Sequence, residues 1–242
     1  MNKQPQEAIL KSDVTLDVHS VFRTIQGEGP FTGMPAVFVR LAGCNLRCPG
    51  CDTIYTDGRQ PWIISDLVTK VLALKKSRDI VVITGGEPLR QGAGLGAFIK
   101  GLTEVFIDYR SYTGCDIQIE TNGTLPMPKL DPISGAFVSV VVSPKTPIVN
   151  PTLETLTIAY KYVLDHTDVM PDGLPGQVLG SDQKQVVFRP ADLGESGIRI
   201  YVQPMDSGNP EHNEKNLKAA IQSCMDHGHT LCLQTHKIIG LE

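Results

Sequence analysis

Three cysteines carry the most specific chemistry in this chain. They stand at positions 44, 48 and 51 in the run Cys44-Asn45-Leu46-Arg47-Cys48-Pro49-Gly50-Cys51. A CxxxCxxC spacing in a loop with Pro and Gly can offer three thiolates to three irons of a [4Fe–4S] cluster, leaving the fourth iron free for a small-molecule ligand. An open coordination position separates a reactive centre from a closed structural one, as it does among zinc sites. Two other readings stay open at this point. One is a three-cysteine zinc knuckle that needs a fourth ligand; the other is a set of thiols packed in the core.

The cysteine loop follows Ala36-Val37-Phe38-Val39-Arg40-Leu41-Ala42, a near-continuous apolar run typical of a strand buried on both faces. Arg40 inside that run is costly to bury unless it meets an anion. It is expected to reach a ligand cavity, with a structural salt bridge as the alternative. Other apolar runs also end in polar or glycine motifs. Leu16 to Phe22 leads to Thr24-Ile25-Gln26-Gly27-Glu28-Gly29-Pro30, and Ile80 to Thr84 leads to Gly85-Gly86-Glu87-Pro88. Asp116 to Glu120 opens onto Thr121-Asn122-Gly123-Thr124, and Ala136 to Val142 onto Ser143-Pro144-Lys145. Ile198 to Val202 leads to Gln203-Pro204-Met205-Asp206, and Leu231 to Gln234 leads to Thr235-His236-Lys237. Tyr160 to Leu164 and Gln185 to Phe188 are further strand candidates.

Amphipathic helices lie between these runs. One is expected from Ser65 as N-cap, with Leu67, Val68, Val71 and Leu72 as its apolar stripe and Lys75 and Lys76 in its last turn. A second carries Leu95, Phe98, Ile99, Leu102 and Phe106 on one face. A last one is capped by Asn209-Pro210 and stopped by Gly228, with Leu217, Ile221, Cys224 and Met225 expected inward. Strands alternating with helices predict an α/β fold with a mostly parallel sheet. The polar motifs then fall just past the carboxyl ends of strands, where such folds build their sites. A single domain over 1–242 is expected, with a loose leader over 1–13 and a polar surface insertion, partly disordered, over 165–184.

Composition sets the class. The 242 residues are 41% apolar and 20% charged with net charge −4, ordinary for a globular protein and without the basic footprint of a nucleic-acid or anionic-membrane binder. No signal-peptide pattern and no membrane-spanning apolar run is evident, so a cytoplasmic protein is expected. Six cysteines without secretory context read as reduced thiols. Cys115, Cys224 and Cys232 sit among apolar residues and are expected in the core.

On these motifs the chain resembles the 7-carboxy-7-deazaguanine synthases, radical S-adenosylmethionine (SAM) enzymes of the pathway to queuosine and related 7-deazapurines. The resemblance runs from about Val21 to the last residue, interrupted by the insertion. It is carried by Gln26-Gly27-Glu28-Gly29, Phe38-Val39-Arg40-Leu41-Ala42-Gly43-Cys44-Asn45, Cys51-Asp52-Thr53 and Gln234-Thr235-His236-Lys237. Thr84-Gly85-Gly86-Glu87-Pro88 alone points only to SAM binding by a radical enzyme.

The resemblance implies roles. Cys44, Cys48 and Cys51 would ligate the cluster, and Thr53 would hold Mg²⁺ through its hydroxyl. SAM would be bound by Gly50, Asp52, Gly86 and Glu87, by Ser143, Pro144 and Lys145, and by Gln203, Pro204, Met205 and Asp206. The pterin would be held by Ile25, Gln26, Gly27, Glu28, Arg40, Thr84 and His236, and by the α-carboxylate of Glu242. The implied reaction is a lyase step with loss of ammonia, taking 6-carboxy-5,6,7,8-tetrahydropterin to 7-carboxy-7-deazaguanine by radical ring contraction. A modified, incomplete (β/α) barrel, a homodimer, a flavodoxin or ferredoxin electron donor and a link to tRNA modification are implied as well. Another radical SAM enzyme, such as a glycyl-radical-enzyme activase, is the first alternative; a non-catalytic zinc or Fe–S module is the second.

Overall fold

The computed structural model describes residues 3–108, 117–177, 186–191 and 197–241. Among these, nine strands form one sheet. They are β1 (Thr15–Ile25), β2 (Pro35–Leu41), β3 (Gln60–Ile63), β4 (Ile80–Gly85), β5 (Ile117–Thr121), β6 (Val138–Val142), β7 (Thr157–Leu164), β8 (Arg199–Pro204) and β9 (Thr230–Leu231), in the spatial order β3-β1-β2-β4-β5-β6-β7-β8-β9. From β2 to β9 every neighbouring pair is parallel; β1 runs antiparallel to both β2 and β3. The α/β expectation with a mostly parallel sheet therefore holds.

Three long helices cover one face: α1 (Ile64–Leu74), α2 (Gly92–Asp108) and, after the four-residue α3 (Pro132–Gly135), α4 (Pro210–His227). A short α5 (Thr235–Ile238) closes the described chain. Alternation along the strands sorts the residues. Val37, Val39 and Leu41, Val81 and Ile83, Ile117 and Ile119, Val138, Val140 and Val142, Tyr160 and Tyr162, and Ile200 and Val202 join the main core with Leu67, Val71, Leu95, Phe98 and Leu102 from the helices. Each fully buried aliphatic or aromatic side chain there stabilises the fold by about 1.5–3 kcal/mol. The alternate residues face the other side, where the far ends of the strands carry polar groups.

Several expectations shift. The helix starting at Ile64 has Ile63 at its N-cap with no side-chain cap, Ser65 lies inside it, and Lys75 follows its end. Residues 186–188 form no strand; the backbone N–H of Val187 and Phe188 donate to Gly176 and Thr146 instead, and Gln185 lies outside the described residues. The last strand is only Thr230–Leu231, and Thr235 to Lys237 turn into α5. Cys115 also lies outside the described residues, whereas Cys232 is buried.

The leader over 1–13 is not loose where it is described. Glu7 N–H donates to Cys44 O at 2.9 Å and Leu10 N–H to Arg90 O at 2.9 Å. The guanidinium of Arg90, 2% exposed, reaches Ala8 O at 2.7 Å and Glu7 Oε2 at 3.2 Å. A buried cation needs such partners, and the leader supplies them. The described part of the 165–184 stretch is likewise no simple surface insertion. Leu174 is buried in the core, and Ser223 of α4 donates to Gly173 O at 2.6 Å.

Helix α4 presents a different face from the one expected. Asn216, Ala220 and Ser223 are buried, while Leu217 (36% exposed), Ile221 (38%) and Met225 (77%) look outward. The inward polar groups find partners: Asn216 Nδ2 donates to Met205 O at 2.8 Å, and Ser223 to Gly173. Satisfied hydrogen bonds remove the cost of burying them. Cys224 packs against the core as expected. Asn209 accepts from the N–H groups of Glu211 and His212, and Gly228 ends the helix at φ 72°, both as anticipated.

Candidate active site

A cavity of about 480 Å³ opens at the carboxyl ends of the parallel strands. Side-chain parity explains its lining. Arg40 on β2, Thr84 on β4, Glu120 on β5, Lys161 on β7 and Gln203 on β8 occupy positions that alternate with core residues, so each projects from the face opposite the helices. Arg40 pairs with Thr84 across β2 and β4, and Val163 with Gln203 across β7 and β8. Phe22 stacks on Phe38 at 5.5 Å, and the Arg40 guanidinium lies 5.6 Å from the Phe22 ring centroid. Arg40 Nε is buried without a hydrogen-bond partner. A donor left in that state is poised for an incoming acceptor. The cavity reading of Arg40, rather than the structural salt bridge, is the one the geometry supports.

The cysteine loop forms one wall. Cys44, Cys48 and Cys51 all line the cavity with Gly50, Asp52 and Thr53. Asn45 anchors the loop to the turn after β5, donating to Thr124 Oγ1 at 2.9 Å and accepting from Asn122 Nδ2 at 3.1 Å. Burial pushes the Cys44 thiol up to about 12 and also raises Cys48 and Cys51. Gly85 and Gly86 approach the loop closely: a Cβ on Gly85 would stand 2.0 Å from Leu41 O, and one on Gly86 would stand 2.2 Å from Gly43 O. Only glycine fits such an approach.

The opposite wall is a polar network. Gln26 Nε2 donates to Glu120 Oε1 at 3.0 Å and to Gln118 Oε1 at 3.2 Å, and Thr84 Oγ1 donates to Glu120 Oε2 at 2.9 Å. Lys161 is ion-paired with Glu28, whose other oxygen accepts from Gln234 Nε2 at 2.9 Å. Burial alone would raise the Glu28 carboxyl, but the Lys161 ammonium beside it prevails and holds it at about 2. For Lys161, burial works against the charged form and Glu28 overcomes it, raising the amine. Gly27 passes so near α5 that a Cβ there would meet His236 Nδ1 at 2.0 Å; Thr235 N–H donates to Gly27 O at 3.0 Å. His236 therefore stands over the Gln26–Gly29 loop and lines the cavity, with Ile25 beside it.

Ser143, Lys145, Met205 and Asp206 line the remaining side. Burial lowers the Lys145 amine, while the Cys48 and Cys51 sulfurs and Asp52 oppose that shift. Asp206 pairs with Lys237 at 2.9 Å, which holds its carboxyl at about 2. Pro144 and Pro204 shape the backbone without lining the cavity, and Glu242 lies outside the described residues.

Glu87 departs from expectation. Its carboxylate is fully buried behind the wall and accepts from Thr121 Oγ1 at 2.7 Å, Asn122 N–H at 2.7 Å and Leu89 N–H at 2.9 Å. Burial pushes it up to about 7 against those donors. It holds the turn after β5 in place and does not face the cavity.

Glu120, Gln118 and Lys161 were missed by motif reading. Lys161 stands in the apolar run of β7 much as Arg40 stands in β2, and that shared anomaly was the available signal.

A family model described as a 4Fe-4S single cluster domain matches residues 25–131. The 7-carboxy-7-deazaguanine synthase of Rhodospirillum rubrum is 38% identical over 94% of this chain and 93% of its own length. That of Rickettsia prowazekii is 35% identical over 98% and 94%. Among solved structures, QueE from Escherichia coli superposes with a TM-score of 0.61 at 24% identity, covering 92% of this chain and 95% of that one, a likeness of fold. Among the described residues no helix is long and apolar enough to cross a membrane.

Proposed function

The chain belongs to the 7-carboxy-7-deazaguanine synthase family, and from that premise we propose that it is a radical SAM lyase converting 6-carboxy-5,6,7,8-tetrahydropterin to 7-carboxy-7-deazaguanine. One observation carries the reading. A single cavity sets three thiols against a bed of fixed charges that includes Arg40, Glu28, Lys161 and Glu120.

The residues present fit a [4Fe–4S] cluster. Three thiols open on one cavity, and no other described cysteine lines it. The described side chains close enough for a single ion, with ligand atoms within 4.8 Å of one another, are Asp165, His166 and His212, not the cysteines. That argues against the zinc knuckle, since a cubane spreads its thiolates more widely than one ion does. The raised thiols need positive charge to ionise, which bound iron provides. When bound, the cluster and SAM supply one-electron, hydrogen-abstracting chemistry.

The chain's own part is positioning. Arg40 takes the substrate carboxylate through its planar fork, satisfying the orphaned Nε. Glu28 and Glu120 accept from the guanidine-like edge of the pterin, and Lys161 keeps Glu28 ionised to do so. Gln26 and Thr84 orient Glu120, and His236 covers the ring from above the Gly27 backbone. Lys145, Ser143, Gln203, Met205 and Asp206 receive SAM, with Gly86 giving it close backbone access. Thr53 offers a hard hydroxyl oxygen for Mg²⁺, and Asp52 lies on the SAM side. Together these exclude water and fix the reacting carbon near the hydrogen-abstracting group.

We also propose the incomplete barrel as a single domain, cytoplasmic residence, a flavodoxin or ferredoxin donor, and a product bound for queuosine in tRNA. A homodimer is supported by the outward stripe Leu217, Ile221 and Met225.

The test is an anaerobic assay of reconstituted protein with dithionite, SAM, Mg²⁺ and the carboxypterin, read by mass spectrometry. Deazaguanine product that vanishes in Cys48→Ala is the expected result. SAM cleavage without that product would leave the radical chemistry standing and transfer the substrate assignment to another radical SAM class.

A further inference from the structure

Behind the segment that carries Met205 and Asp206, away from the cysteine loop, three ligand-bearing side chains converge. Asp165 and His166 follow the end of β7, and His212 sits in the first turn of α4. Each offers one ligand atom within 4.8 Å of the other two. We propose that Asp165, His166 and His212 form a site for a divalent ion of the zinc type, tying the exit of β7 to the start of α4.

The contacts that pair His166 and His212 with Asp165 also fit a metal site. His212 Nε2 stands 3.3 Å from both Asp165 oxygens. That is long for a charge-assisted hydrogen bond, whose N···O distance is about 2.7–2.9 Å. It matches the spacing of about 3.4 Å between two ligands held at about 2.1 Å by one tetrahedral ion. Asp165 Oδ1 is already engaged by Thr167 N–H at 2.9 Å and Thr167 Oγ1 at 2.8 Å, so the carboxylate is oriented, with Oδ2 turned to His212.

The supporting shell is also in place. Asn216 Oδ1 accepts from His166 N–H at 2.8 Å and lies 2.8 Å from His166 Nδ1, while its Nδ2 is committed to Met205 O. His166 Nδ1 also stands 3.4 Å from Asp165 Oδ1; with the Nδ1 proton given to Asn216, Nε2 is the nitrogen left for an ion. Asn216 is fully buried, which fixes this choice. The two imidazole rings meet edge to face at 4.5 Å. Imidazole and carboxylate donors suit zinc and its first-row neighbours, and three protein ligands leave one position for water. Because Asn216 holds the Met205 carbonyl, occupancy of the site stiffens the wall segment that carries Met205 and Asp206.

The experiment uses untagged protein with its cluster reconstituted, so that Cys44, Cys48 and Cys51 are occupied. After dialysis against a chelator it is titrated with Zn²⁺ and read by elemental analysis and zinc K-edge X-ray absorption. About one zinc per chain in a nitrogen and oxygen shell without sulfur is expected. His212→Ala and His166→Gln should each weaken uptake at least about tenfold with iron content unchanged. Asp165→Asn serves if either variant loses its fold by circular dichroism. No uptake, a sulfur shell, or uptake unchanged in the folded variants would overturn the site. None of these outcomes bears on the cysteine cavity, whose test reads product and not zinc.

Discussion

Arg40 faces two demands that oppose one another. Its strand must be apolar on both faces to sit inside the sheet, yet its guanidinium must find an anion. Its buried Nε has no hydrogen-bond partner among the described residues, which supports the proposed role of receiving the substrate carboxylate. Arg40→Lys replaces a planar fork with a point charge. We expect KM for the carboxypterin to rise about ten- to a hundredfold, corresponding to about 1.4–2.7 kcal/mol, with kcat changed far less, in steady-state assays. Glu28 supplies a second prediction. Its carboxyl titrates near 2 in the folded protein and near 4.3 when unfolded, so its stabilisation is present above pH 4.3 and fades as pH falls toward 2. Urea unfolding followed from pH 7 to 3 should lose stability more gently in Glu28→Gln. The same variant should be weaker at pH 7 by about 3 kcal/mol, because Lys161 is left buried and unpaired. An equal acid slope in both proteins would remove Glu28 from the account.

At the scale of elements, the leader and the cysteine loop form one unit. Arg90 stands at the junction, bonded to Ala8 O and to Ala42 O and beside Glu7. Arg90→Ala removes a buried cation from its partners and should cost about 3–5 kcal/mol. Iron retention after reconstitution should fall in parallel, since Gly43 and Cys44 border the vacated space. Exposed Lys100 pairs with Glu104 at 3.8 Å and with no other described residue, so Lys100→Ala should stay within about 0.5 kcal/mol of wild type. Helix α4 was misread for a physical reason. Hydrophobicity alone turns Leu217, Ile221 and Met225 inward, but Asn216 accepts from His166 N–H and donates to Met205 O while Ser223 donates to Gly173 O, which leaves the apolar stripe outside.

At the scale of the whole molecule, that stripe is the surface on which the proposed homodimer rests. Three exposed apolar side chains at helical spacing form a ready-made contact. Met225→Asp should shift the protein from dimer to monomer in analytical ultracentrifugation while the cluster spectrum stays as in wild type. A monomeric wild type, or a dimer untouched by the substitution, would place the interface elsewhere. The sheet organises the rest. Its parallel strands end at one edge, and that edge gathers residues as far apart in the chain as Phe22 and Leu241 around one cavity.

The chain's order alone was sufficient for the cysteine loop, the α/β class and the turn motifs at strand ends. Thiol spacing, apolar runs and glycine punctuation are local properties, and local physics carries them. Glu120 and Lys161 were legible only in part, since parity along a strand shows that a residue alternates with the core but not what lies opposite. Tertiary structure decided which polar residues face the cavity and which are consumed behind it. Glu87 and Asp206 are both acidic residues just past a strand, yet Glu87 is spent on Thr121, Asn122 and Leu89 while Asp206 lines the cavity. That difference arises from hydrogen-bond partners distant in sequence, which exist only once the sheet has brought the loops together.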